Sequence, residues 1–121
     1  MKQKILLIDD DPLVLRSLEG ILKKENYECA IASTPEKGIC CVQNEDFNLI
    51  ISDIRMPGKD GVETMKQVRK IFQQGSKKEI PIIFITGYAD DAVMLNAEGL
   101  GEVVLKPFDL KSFMMTIREY L

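Results

Sequence analysis

Five polar residues stand where short apolar runs stop. Asp9 and Asp10 follow Ile5-Leu6-Leu7-Ile8, Asp53 closes Leu49-Ile50-Ile51-Ser52, Thr86 follows Ile82-Ile83-Phe84-Ile85, and Lys106 follows Val103-Val104-Leu105. Three carboxylates, a hydroxyl and an ammonium suit a divalent cation and a phosphoryl group. Magnesium takes hard oxygen ligands and shares them with phosphate. Lysine is a point-charge partner for phosphate, and a Thr hydroxyl can donate to a phosphoryl oxygen. A carboxylate can attack phosphorus and become an aspartyl phosphate. Such chemistry asks mainly for positioning and charge neutralisation. Each residue alone has an ordinary explanation. Asp is common at caps and turns, the acid pair could solvate a loop, Thr86 could be a small turn residue, and Lys106 could be a surface lysine. Adjacent carboxylates repel, however, and a cation is poorly placed beside a helix N-terminus. Their joint placement at successive run ends calls for a shared reason.

The apolar runs are short and continuous, as in strands buried on both faces. Between them lie helix signals. Asp11 caps a helix with Pro12 at its first position and an apolar face of Val14, Leu18, Ile21 and Leu22. Glu28–Ala32 reads as a weaker strand near a sheet edge. Thr34-Pro35 repeats the cap signal, with Gly38, Cys41 and Val42 facing inward, and Asn44-Glu45-Asp46 ends that helix. Asp60 and Glu63 have capping-box spacing ahead of Met65, Val68 and Phe72. Ile80–Ile85 is the fourth strand, with Pro81 tolerable near its start. Asp90 or Asp91 opens a helix to about Glu98, with Val93, Met94 and Ala97 on its apolar side. Asp109 caps the last helix, whose face is Leu110, Phe113, Met114, Ile117 and Leu121. Five strands alternating with five helices predict an α/β, doubly wound parallel sheet covered on both faces; a barrel would need more units. All carboxyl ends of such a sheet lie at one edge, so the five polar groups converge.

The chain has 121 residues, the size of one domain spanning 1–121, and its 45% hydrophobic and 29% charged content is ordinary for a globular protein. No apolar run approaches membrane-spanning length, and the N-terminus is no signal peptide. A net charge of −3 gives no footprint for nucleic acid. The absence of His excludes His-based acid–base catalysis and a phosphohistidine on this chain. Cys29, Cys40 and Cys41 are odd in number and lack Cys-x-x-Cys spacing, so the expectation is reduced, half-buried thiols in a cytoplasmic protein, with no zinc site. Neither a Gly-x-Gly-x-x-Gly nor a Walker lysine motif is present, which leaves nucleotide binding unsupported.

Asp9-Asp10, Asp53-x-x-Met56-Pro57-Gly58-x-Asp60-Gly61, Thr86-Gly87 and Lys106-Pro107-Phe108, in this order and spacing, closely resemble the receiver domain of two-component response regulators, over Lys4 to Leu121. The resemblance implies a flavodoxin-like sheet with strand order 2-1-3-4-5. It implies phosphorylation of Asp53 by a histidine kinase or phosphotransfer protein. Asp10, Asp53 and the backbone carbonyl of Arg55 would ligate Mg2+ directly, and Asp9 largely through water. Lys106 would pair with the phosphoryl group and Thr86 would move to bond it; the Lys106-Pro107 bond is often cis in this family. Phosphorylation would bias a pre-existing equilibrium and remodel a face around the fourth helix, fifth strand and fifth helix. That face would meet a downstream effector or fused output domain; a homodimer is compatible with it, and neither membrane nor nucleic acid is expected as a partner of this domain. The domain would be no enzyme beyond its own phosphotransfer and autodephosphorylation. One position departs: Val103 stands where the family often has Tyr or Phe. Val is short and stiff at its first torsion, so the usual aromatic switch cannot operate and the response should centre on Gly87-Tyr88-Ala89.

A second reading is a small magnesium-dependent phosphatase resembling the haloacid dehalogenase family, with Asp9 of Asp9-x-Asp11 as nucleophile. Against it, no acid pair follows Lys106, Asp53 would have no role, and Asp11 reads as a cap. A third, an interaction domain that is never phosphorylated, has no need of the acid–Thr–Lys set.

Overall fold

The computed structural model describes residues 2–87 and 91–121, apart from the side chains of Asp91 and Val93. Among these residues the elements alternate without exception: β1 (Lys4–Ile8), α1 (Pro12–Lys24), β2 (Glu28–Ala32), α2 (Pro35–Asn44), β3 (Leu49–Asp53), α3 (Gly61–Gln74), β4 (Ile82–Thr86), α4 (Asp91–Ala97), β5 (Glu102–Leu105) and α5 (Leu110–Tyr120). The five strands form one parallel sheet in the order β2-β1-β3-β4-β5.

The pleat divides the core in two. Leu6, Ile8, Ile50 and Phe84 point to one face, where Val42 of α2 and Met65, Val68 and Phe72 of α3 cover them. Ile5, Leu7, Leu49, Ile51, Ile83 and Ile85 point to the other, against Leu15, Leu18 and Leu22 of α1 and Phe113, Met114 and Ile117 of α5. This is the period-two alternation of strands meeting the helical period. β3 and β4 are buried along their whole length, whereas β2 and β5, at the edges, are half open, as expected of β2.

The caps form where the sequence puts them. Asp11 accepts from the Leu13 amide at 2.9 Å, Thr34 from Lys37 at 3.2 Å, Asp60 from Glu63 at 2.8 Å and Asp109 from Ser112 at 3.1 Å. Each satisfies an otherwise unpaired helix N–H, typically contributing about 1 kcal/mol. The Lys106-Pro107 bond is cis.

Some expectations need correcting. The fourth strand begins at Ile82, not Ile80: Pro81 has no N–H to give, although its carbonyl still accepts from the Ile50 amide at 3.1 Å. Leu15 and Ile39, outside the expected helix faces, are core residues, while Val14, Ile21 and Cys41 are half-buried. Met94 and Leu110 are exposed, not inward. Of the apolar side expected for α4, Ala97 is buried; the Val93 side chain lies outside the described residues, as does Asp90. Cys29 and Cys41 are half-buried, but Cys40 is exposed. Burial pushes the Cys29 thiol up to about 11, so it is an inert packing group. No helix among the described residues is long and apolar enough to cross a membrane.

Candidate functional site

Register brings the polar strand ends together. Ile8 pairs with Ser52, Asp53 with Ile85 and Thr86 with Leu105, so residues one step beyond these pairs share the carboxyl edge of the sheet. Asp9 is held tightly there. Its amide donates to Ala32 O at 3.2 Å, its Oδ1 accepts from the Asp11 amide at 2.9 Å, and its Oδ2 accepts from Lys106 Nζ at 3.0 Å. Lys106 Nζ also lies 3.6 Å from Asp53 Oδ2, and the Lys106 amide donates to Thr86 O at 2.7 Å. Asp9, Asp53 and Thr86 are buried, and Asp10 is exposed at the mouth.

One carboxylate oxygen from each of Asp9, Asp10 and Asp53 falls within 4.8 Å of the others. An octahedral Mg2+ holds opposite oxygens roughly 4.2 Å apart, so small side-chain adjustments let this all-oxygen set fit the ion. Arg55 is exposed two residues beyond Asp53, at the start of the loop leading to α3. Tyr88 and Ala89 lie outside the described residues. Val103 is half-buried beside Phe84, against a 440 Å³ concavity lined by Met94, Leu95, Ala97, Glu98 and Gly101.

Burial is the largest influence on Asp53 and drives its carboxyl up, to about 6; the charge of Asp9 adds to this, while Lys106 and the Ile54 amide oppose it. Burial pulls the Lys106 ammonium down, but the hydrogen bond to Asp9 and the charge of Asp53 outweigh it and the net shift is upward. The three carboxylates around Lys106 thus form an overcrowded negative site, which a divalent ion would relieve.

A stability prediction follows. Between the ordinary value, 3.8, and about 6, folded Asp53 holds its proton while the unfolded carboxyl has lost it. The folded state binds more protons in that window, so stability declines as pH rises through it, by about 2–3 kcal/mol in total. Without Mg2+, Asp53→Asn is expected to melt higher than the parent at pH 7, and the gap should close near pH 4. Added Mg2+ should narrow the gap at pH 7, because a ligand that binds only the folded parent stabilises it. Melting curves at the two pH values check this; identical midpoints at pH 7 without Mg2+ would refute it.

Ser52, and Gly61 of the Asp60-Gly61 motif, to which the sequence assigns no role, support Asp53. The buried Ser52 hydroxyl donates to Asp53 O at 2.9 Å. The Gly61 amide donates to Ile54 O at 2.7 Å, and a Cβ on Gly61 would sit 2.0 Å from Asp53 O. The signal for Gly61 was a glycine opening a helix, directly after its Asp60 cap.

Comparison with known proteins agrees with this fold. The family model of the response regulator receiver domain matches residues 5–118. Over 98% of its length the chain is 30% identical to the transcriptional regulatory protein ResD of Bacillus subtilis, of which it covers 48%. It spans about half the length of the curated relatives it matches. Among solved structures, a CheY-like receiver domain protein from Methanospirillum hungatei aligns at a TM-score of 0.89 with 30% identity, covering 98% of this chain and 93% of that one. The response regulator TrrA of Thermotoga maritima, solved in complex with Mg(2+)-BeF, aligns at 0.85 with 28% identity, covering 98% and 99%. The chain belongs to the response regulator receiver domain family and is a signalling module of two-component systems. The phosphatase reading has no support: the family model that matches residues 5–118 is the receiver domain, and Asp9 is buried and already committed to Lys106 and the Asp11 amide.

Proposed function

We propose that Asp53 is the phosphoacceptor, taking a phosphoryl group from a phosphohistidine of a histidine kinase or phosphotransfer protein. An Asp53 carboxylate oxygen forms the new O–P bond while the N–P bond of the donor breaks, and the imidazole leaves with that electron pair. Asp10, Asp53 and the Arg55 carbonyl would hold Mg2+, with Asp9 acting largely through water; the ion, when bound, supplies charge neutralisation for the incoming phosphoryl oxygens. Lys106 would meet those oxygens and Thr86 would donate to one of them. The observation that carries the reading is the convergence of Lys106 on Asp9 and Asp53 at one sheet edge.

Two further features support a signalling output. Met94 and Leu95 on α4, Leu105 at the end of β5 and Met115 on α5 are exposed apolar side chains, which fits a face for a downstream effector or fused output domain, or for a second copy. With Val103 too short to switch as a ring would, the change would be carried by Thr86, Lys106 and the segment leading into α4. Absent a spanning helix among the described residues, a cytoplasmic location accords with this reading.

The test is intact mass after incubation with a small phosphodonor and Mg2+. One phosphoryl group is expected on the parent and none on Asp53→Asn. Phosphate retained by Asp53→Asn and lost from Asp9→Asn would overturn the assignment.

A further inference from the structure

Charge is distributed very unevenly in this chain. Residues 59–78 contain Lys59, Lys66, Arg69, Lys70, Lys77 and Lys78 against Asp60 and Glu63, a local charge of +4 in a protein of net −3. The remainder therefore carries −7. Two of the cations already have acidic partners: Arg69 pairs with Glu79 at 3.2 Å and Lys77 with Asp46 at 3.4 Å. Lys66 and Lys70 are exposed, form no ion pair among the described residues, and lie four apart on one stripe of α3.

That stripe forms one wall of a 510 Å³ groove. The other wall is α4 and the turn after it, with Leu95, Asn96, Glu98 and Leu100. Leu95 is 69% exposed, so an isolated domain leaves a large apolar side chain in water inside a concavity. One hydrogen bond ties the two walls together. Gly99, at φ +81°, turns the chain out of α4, and its carbonyl accepts from Arg69 Nη2 at 2.9 Å.

We propose that this α3–α4 groove binds an acidic amphipathic helix of a partner protein. Leucine-like side chains of the ligand would cover Leu95 and Leu100, and carboxylates beside them would reach Lys66 and Lys70, the usual pattern of a helix laid in a groove. A continuous polyanion fits less well: Glu98 lines the groove and Leu95 offers nothing to a phosphate. The inference goes beyond phosphorylation and does not depend on which residue accepts the phosphoryl group.

The experiment uses the whole chain and a fluorescein-labelled peptide helix carrying leucines at i, i+3 and i+7 flanked by glutamates. Anisotropy reads affinity and amide shift mapping reads location. Saturable binding with shifts on α3 and α4 is expected. Lys66→Glu with Lys70→Glu should weaken it at least tenfold, and Leu95→Ser to a similar degree. Lys24→Glu with Lys111→Glu, the same charge change elsewhere, should alter it less than twofold. A peptide with lysines in place of the glutamates should bind the Lys66→Glu/Lys70→Glu protein better than the parent. Circular dichroism confirms folding, and phosphoryl uptake by mass, measured separately, keeps this test distinct from that of Asp53. Equal affinity for a scrambled peptide, shifts away from the groove, or no loss in the α3 variants would overturn the proposal. So would tighter binding of duplex DNA or phosphatidylserine vesicles, or self-association, lost in those same variants.

Discussion

Gly61→Ala is expected to lose about 3 kcal/mol of stability, a fall in melting temperature of roughly 10 °C at this chain length. The added Cβ would lie 2.0 Å from Asp53 O, 2.9 Å from Asp53 C and 3.0 Å from Ile54 Cα. All three are backbone atoms, so no rotamer change can relieve the overlap; either α3 or the end of β3 must move. Asp53 sits at that strand end, so phosphoryl uptake should slow as well, of the order of 10²-fold for a displacement near 1 Å. Gly20→Ala is the control. Its Cβ would meet nothing within 4 Å on the exposed side of α1, and alanine there should add about 0.5–1 kcal/mol through helix propensity. Thermal melts of both variants, with uptake rates by mass, decide the matter; a Gly61→Ala protein melting with the parent would refute the close-approach account.

Lys106→Met is expected to have the second large effect. The substitution keeps the stem and removes the charge. Asp9, 1% exposed, then loses the Nζ at 3.0 Å that balances it, and Asp53 loses the opposing influence on its already raised carboxyl. An unpaired buried carboxylate is costly, and since the lysine side chain is itself 23% exposed the loss should be about 2–3 kcal/mol without Mg2+. Magnesium should recover more stability in this variant than in the parent, because the cation replaces the missing one. Uptake from a small phosphodonor should fall about 10²- to 10³-fold, the usual consequence of deleting a donor aimed at developing charge. Parental uptake, or a parental melting temperature without Mg2+, would remove Lys106 from the site.

The elements were legible because their signals are local. Asp11-Pro12 and Thr34-Pro35 mark helix starts within two residues, and an apolar run ending in a polar residue marks a strand without reference to the rest of the chain. The candidate site was legible for a related reason: in a parallel sheet the strand ends share an edge, so topology converts four separated motifs into one cluster. What stayed hidden depends on contacts distant in sequence. Nothing near Lys106 shows that its ammonium approaches Asp9, 97 residues away, more closely than Asp53. Gly61 belongs to the motif after Asp53, but its reason, the backbone of Asp53 lying where a Cβ would be, is visible only in three dimensions. Met94 fits an inward stripe by spacing, but α4 is only seven residues long; a helix so short settles by its few contacts rather than by periodicity, and Met94 turned outward.

The pairing of Lys106 with Asp9 has a kinetic consequence. A free lysine recruited to a new anion must give up rotamer entropy worth about 2 kcal/mol, and surrounding water must reorient with it. Here folding has already restricted the side chain, with Asp9 at 3.0 Å and the Lys106 amide tied to Thr86 O at 2.7 Å. Under the proposed function Asp9 would thus serve as a place-holding anion. On the proposed phosphorylation of Asp53, the ammonium would exchange one negative partner for another across a short distance, 3.0 Å from Asp9 and 3.6 Å from Asp53 at rest, and little reorganisation energy would stand between the two forms of the site.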